Sequence, residues 1–74
     1  MKEKDDLKVR KEFGRRVKEA REKKGMTQLD LSIKCGTDIR QIQRIENEEI
    51  TTSITMAYFI AKSLEVELAE LFDF

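Results

Sequence analysis

The stretch from Met26 to Asn47, MTQLDLSIKCGTDIRQIQRIEN, restricts the fold more than any other part of the chain, because two short helical patterns stand on either side of Gly36. At about 100° per residue, Ile42 and Ile45 fall on one side of the second pattern with Ile39 on its flank. Arg40, Gln43, Arg44 and Asn47 fall on the other side. Each pattern carries its own start signal. Thr27 is a natural N-cap, and Asp30, three residues on, can complete a reciprocal capping box. Asp38 can cap the second helix, and its charge suits the positive end of the helix dipole. Gly36 supplies the positive φ that a steep change of direction between two helices needs.

The flanking sequence reads as helix throughout. A first helix is expected from about Leu7 to Lys24, capped by Asp5 or Asp6, with Val9, Phe13, Val17 and Ala20 as its apolar stripe and Gly25 as its stop. After the loop NEEITT, a fourth helix is expected from Ile54 to about Glu65, and a short fifth from Glu67 to Phe72. The sequence contains no proline, no strand pattern and no internal repeat. The expected fold is an all-α, compact five-helix bundle, with residues 1–6 as a charged, disordered tail and residues 7–74 as a single domain. Seventy-four residues leave no room for a second core, since a chain this short buries only about 60% of the surface its unfolded form exposes.

Composition excludes several classes. No apolar run approaches the roughly 18 residues needed to span a bilayer, and MKEKDD lacks the apolar stretch of a signal peptide, so a cytoplasmic protein with no membrane association is expected. The single cysteine, Cys35, and the absence of histidine argue against a metal site and against an internal disulfide. Cys35 reads as a small buried helix residue. With no nucleophile paired to a base and no glycine-rich phosphate loop, neither catalysis nor a cofactor is expected.

A formal net charge of zero is awkward for a chain meeting phosphates, since such affinity comes mainly from Lys and Arg. The charges are segregated, however. Residues 1–24 hold eleven basic against six acidic side chains, and residues 45–74 hold one against seven. Such asymmetry predicts a basic and an acidic face.

The stretch from Phe13 to Phe72 resembles the Xre/Cro-type helix-turn-helix of phage repressors. The resemblance is carried by FGRRVKEAREKKGMTQ, DLSIKCG, DIRQIQRIEN and ITMAYFIAKSLEVELAELF, with Arg21, Gly25, Thr27, Gln28, Leu31, Gly36, Ile42, Ile45, Glu46, Ala61 and Leu64 in register. It implies a lambda-repressor-like domain with a central helix-turn-helix that binds a double-stranded DNA operator as a homodimer and has no enzymatic activity. Arg40, Gln43 and Arg44 are then candidate base readers, with Ile39 divided between packing and a thymine methyl. The bland reading, a solvated helix face, loses ground because the arginines stand second and sixth after the helix cap. Thr27, Gln28, Arg16 and Asn47 become candidate phosphate contacts, while Arg15 and Lys18 are weaker ones. Arg21 and Glu46 resemble the family's internal ion pair. One departure is clear: after Glu46 the family pattern has a glycine stop followed by basic residues, whereas this chain reads Asn47, Glu48, Glu49. A non-glycine residue at positive φ costs about 1 kcal/mol, although Asn47 could take that role, and the two carboxylates weaken the loop as a backbone clamp.

The fourth helix carries more apolar surface than an amphipathic helix needs. Ile54, Ala57, Tyr58, Ala61 and Leu64 make an inward stripe, which leaves Met56 and Phe59 outside. With Leu68, Phe72 and Phe74 they are the expected dimer interface. The sequence thus predicts a homodimeric transcriptional regulator acting on a palindromic operator. Its rivals are a restriction-modification controller, an antitoxin repressing its own operon, and an adaptor that binds a cognate protein and leaves DNA alone.

Overall fold

The computed structural model describes residues 2–74. Four α-helices and a terminal 3₁₀ turn follow one another: α1, Glu3–Lys23; α2, Gln28–Cys35; α3, Ile39–Glu46; α4, Ile54–Leu64; and the turn Leu68–Phe72. The all-α class holds among the described residues, but the expected fifth α-helix is a single stretch of 3₁₀ geometry. The first helix also starts earlier than Leu7. Glu3, Asp5 and Asp6 form its first turn, where carboxylates suit the dipole, and Lys2 stands at the cap position without a side-chain bond.

Each α-helix ends the same way. The backbone N–H groups of Met26, Thr37, Glu49 and Val66 reach back to the carbonyls of Arg21, Ser32, Arg44 and Ala61, and the residue before each has positive φ. These are Schellman stops, which satisfy carbonyls that the helix leaves open. Gly25 and Gly36 fill the left-handed position in the first two, and Glu48 (φ 65°) and Glu65 (φ 58°) fill it in the others. The positive φ after α3 therefore belongs to Glu48. Asn47, at φ −82°, remains near helical geometry.

The core is built from all five elements: Phe13 and Val17 of α1, Leu31 of α2, Ile42 and Ile45 of α3, Ala57, Ile60, Ala61 and Leu64 of α4, and Leu71 of the turn. Burying each large side chain contributes roughly 1.5–3 kcal/mol. The inward stripe of α4 differs from the expected one. Ile60 is fully buried, while Ile54 and Tyr58 are 68% and 51% exposed. Met56 and Leu68, expected at an interface, pack in part against the core.

The close approach of α1 to α3 depends on Gly14. A Cβ there would lie 2.3 Å from the Ile45 carbonyl oxygen, closer than any real contact. On the neighbouring residue of α1, Phe13, the Phe72 ring stacks with centroids 5.0 Å apart, and Phe74 follows at 6.3 Å from Phe72. The chain end thereby closes the bottom of the core.

Candidate nucleic-acid interface

Local chemistry sets α2 and α3 at their angle. Thr27 Oγ1 accepts the Asp30 N–H at 3.0 Å, and the Asp30 carboxylate accepts the Thr27 N–H at 3.0 Å, a complete capping box. Those bonds hold the Asp30 carboxyl below its usual pKa, the backbone bond from Thr27 being the larger cause. Gly36, at φ 73°, ends α2, and Asp38 Oδ1 accepts the Arg40 N–H at 2.8 Å to begin α3. Once Ile42 and Ile45 are committed to the core, the helical period leaves Arg40 and Arg44 exposed and Gln43 half-buried. Ile39 is half-buried on the flank.

The far end of α3 is anchored from beneath. Arg21 donates to Glu46 through Nε at 2.7 Å and Nη2 at 2.9 Å, a bidentate pair whose Glu46 side chain is 1% exposed. A third bond, from Arg21 Nη1 to the Met26 carbonyl at 2.7 Å, ties the pair to the α1–α2 connection. Burial alone would lower the Arg21 pKa, but the Glu46 hydrogen bonds outweigh it and the shift is upward. Gln28 joins the same cluster, donating from Nε2 to Glu46 Oε1 at 3.0 Å. The ion pair and α2 are therefore one unit, which the spacing of Gln28 from Glu46 did not reveal.

The remaining candidates are not all brought to this surface. Arg16, midway along α1, turns to the C-terminal segment, its guanidinium 5.6 Å from the Phe74 ring centroid and Nη1 3.5 Å from the Glu70 carbonyl. Asn47 is exposed at the end of α3. Much of the basic charge of α1 is internally matched. Arg15 pairs with Glu12 and Glu19, and Arg10 with Asp6 at 3.2 Å. Cys35 is half-buried, its thiol 3.5 Å from Ser63 Oγ, and burial pushes its pKa upward, which disfavours the reactive thiolate.

Two features escaped the sequence pattern. Leu29 and Ile33, one turn apart on α2, are 53% and 68% exposed. Arg44 Nε lies 3.7 Å from Glu49 Oε1, and Glu49 is in turn held by Arg10 Nη1, which donates to its carbonyl at 3.0 Å.

Two short helices set by a left-handed glycine turn, with arginines on the outer face of the second, make a helix-turn-helix. The model of a helix-turn-helix domain matches residues 14–73. The chain belongs to the Xre-like helix-turn-helix family of DNA-binding transcriptional regulators. Among solved structures, the restriction-modification controller protein of Aeromonas hydrophila is 30% identical with a TM-score of 0.82, the match covering 85% of this chain and 96% of that one. The competence regulator ComR of Streptococcus vestibularis is 32% identical with a TM-score of 0.82, over 88% of this chain and 22% of that one. A transcriptional regulator from Vibrio cholerae shares the fold at 20% identity and a TM-score of 0.86, over 92% of this chain and 38% of that one. The helix-turn-helix domain thus spans nearly all of the first and well under half of the other two. No curated protein matches the chain. The family and fold are those of DNA-binding regulators rather than enzymes, and no described helix is long and apolar enough to cross a membrane.

Proposed function

We propose that the chain is a homodimeric regulator that places α3 of each subunit in successive major grooves of a palindromic operator. The observation that carries this reading is the outer face of α3. Arg40 and Arg44 project from a helix whose other face is core and whose end is locked to α1 by the Arg21–Glu46 pair. Guanidinium groups pair bidentately with guanine O6 and N7, so the operator carries G·C pairs opposite both arginines. Gln43 reads an adjacent base edge, and Ile39 reaches a thymine methyl from the flank. The first turn of α2 supplies the phosphate contact. Thr27 retains its hydroxyl proton and Gln28 a second amide proton beside open backbone N–H groups. Asn47 adds a contact at the end of α3, whereas Arg16 serves the C-terminal cluster.

Ile54, Tyr58, Phe59, Phe72 and Phe74 leave apolar surface uncovered on α4 and the chain end, and its burial against a second copy supplies the two-fold axis. A restriction-modification controller is the specific role best supported, because the Aeromonas controller matches over almost its whole length. Selecting bound duplexes from a random pool tests the reading. Wild type should return an inverted repeat. Arg40→Ala or Arg44→Ala should relax preference at one base pair per half-site at a cost of about 1–3 kcal/mol. Phe59→Glu should sediment as a folded monomer with little operator affinity. Unchanged preference in both arginine variants, or a wild-type chain that binds all duplexes equally, refutes it.

A further inference from the structure

The loop after α3 holds a carboxylate against a proposed base-reading side chain. Glu48 occupies the left-handed position of the Schellman stop, and the Glu49 N–H donates to the Arg44 carbonyl at 3.0 Å. That bond brings residue 49 back alongside residue 44. The Glu49 carboxylate then stands 3.7 Å from Arg44 Nε, with both side chains 54% exposed. At this separation the contact is an ionic one rather than a hydrogen bond. The nearest approach is on the Nε side of the guanidinium, and the terminal nitrogens donate no hydrogen bond among the described residues. The Glu49 backbone is tied to α1. Arg10 Nη1 donates to its carbonyl at 3.0 Å, and Arg10 is itself paired with Asp6. A chain of contacts from Asp6 through Arg10 and Glu49 to Arg44 therefore runs from the first turns of α1 to the reading face.

We propose that Glu49 is a specificity-determining positioning residue, which holds the Arg44 guanidinium by its Nε side so that the two terminal nitrogens meet guanine. The inference rests on the assignment of Arg44 as a base reader. Two effects combine. An arginine already restrained loses less rotamer freedom on forming a bidentate pair. The carboxylate also repels phosphate, so an arginine beside it gains less from straying to the backbone of an unmatched duplex. On the matched site, restraint offsets repulsion; on other DNA, only repulsion remains.

The test measures dissociation constants for three duplexes: the selected operator, the operator with the Arg44-facing guanine replaced, and a random duplex. Glu49→Gln keeps the size of the side chain and removes its charge. Discrimination at the Arg44 position should fall about 2- to 5-fold, the worth of an exposed ion pair. Random-duplex affinity should rise. The loss of discrimination should vanish when Arg44 is already alanine. Glu48→Gln, which removes a neighbouring charge with no ion pair to Arg44, should shift all three duplexes together and leave discrimination intact. Full discrimination in Glu49→Gln, or identical behaviour of the two glutamine variants, overturns the proposal. If Arg44→Ala itself leaves operator preference unchanged, the base-reading assignment fails, and the role of Glu49 falls with it. Circular dichroism confirms that each variant is folded.

Discussion

Removing one partner of the Arg21–Glu46 pair strands the other, and the structure says which loss is larger. The Glu46 side chain is 1% exposed and that of Arg21 is 11% exposed. Breaking a buried pair costs about 3–5 kcal/mol, most of it the penalty of an uncompensated charge. In Glu46→Ala the guanidinium keeps the Met26 carbonyl at 2.7 Å and an edge to water, which places the cost near 3 kcal/mol. In Arg21→Ala the deeper carboxylate keeps only the Gln28 amide at 3.0 Å, which places the cost near 5 kcal/mol. A domain of this size has roughly 4–11 kcal/mol of stability in all. Glu46→Ala should therefore fall by roughly 12–24 °C in melting temperature. Arg21→Ala should be close to unfolded at 37 °C. The double variant strands nothing and should lose less than the sum of the two. Thermal and urea unfolding followed by circular dichroism give all four corners of the cycle. Strict additivity, or a Glu46→Ala loss that exceeds that of Arg21→Ala, would refute the argument.

Gly14→Ala should destabilise by about 1–3 kcal/mol, because its Cβ meets backbone at 2.3 Å and α1 must move off α3; urea unfolding measures it. Glu48→Gly should stabilise by about 1 kcal/mol in the same assay, since glycine takes φ 65° without a Cβ penalty. Asp30 has a depressed pKa in the folded chain, so its contribution is present above the ordinary Asp value of about 3.9 and is lost as pH falls through the lower folded value. Asp30→Asn should accordingly flatten the acid limb of a melting-temperature profile below pH 4, and an unchanged limb would show that the capping box carries no such linkage.

Signals that are local in sequence were legible; of the contacts between distant residues, the Arg21–Glu46 pair was expected only through the family resemblance. The caps Thr27, Asp30 and Asp38 and the turn at Gly36 each involve residues within three or four positions, and the chain forms them as the spacing predicts. The inward face of α4 was misplaced because ITMAYFIA is apolar almost all round, so its periodicity does not choose a side. The choice is made by the neighbouring elements, whose Val17, Leu31 and Leu71 share one core cluster with Ala57, Ile60, Ala61 and Leu64. The left-handed residue after α3 was placed at Asn47, an amino acid that tolerates it. Asn47 instead caps α3 at φ −82°, and the stop falls one residue later, on Glu48, whatever its side chain prefers. Gln28 and Glu49 reach partners through space, Gln28 across 18 residues, and no pattern in a single sequence records that.

The pairing inside α1 changes what the basic N-terminal third can contribute to binding. Arg10, Arg15 and Arg16 all stand beside carboxylates of their own helix, at the three- and four-residue spacings that make helical neighbours. Their charge is therefore matched before DNA arrives, so these three add less phosphate attraction than their number suggests, although residues 1–24 still hold eleven basic against six acidic side chains. Pairing three arginines in this way lowers what the protein gains from any duplex more than what it gains from one with the right bases. In the proposed dimer that bias is doubled, because each half-site contributes the same small set of contacts and only a sequence with both halves supplies enough. The zero net charge is then consistent with selective binding. It lowers the affinity for the many wrong sites, against which operator recognition has to be measured.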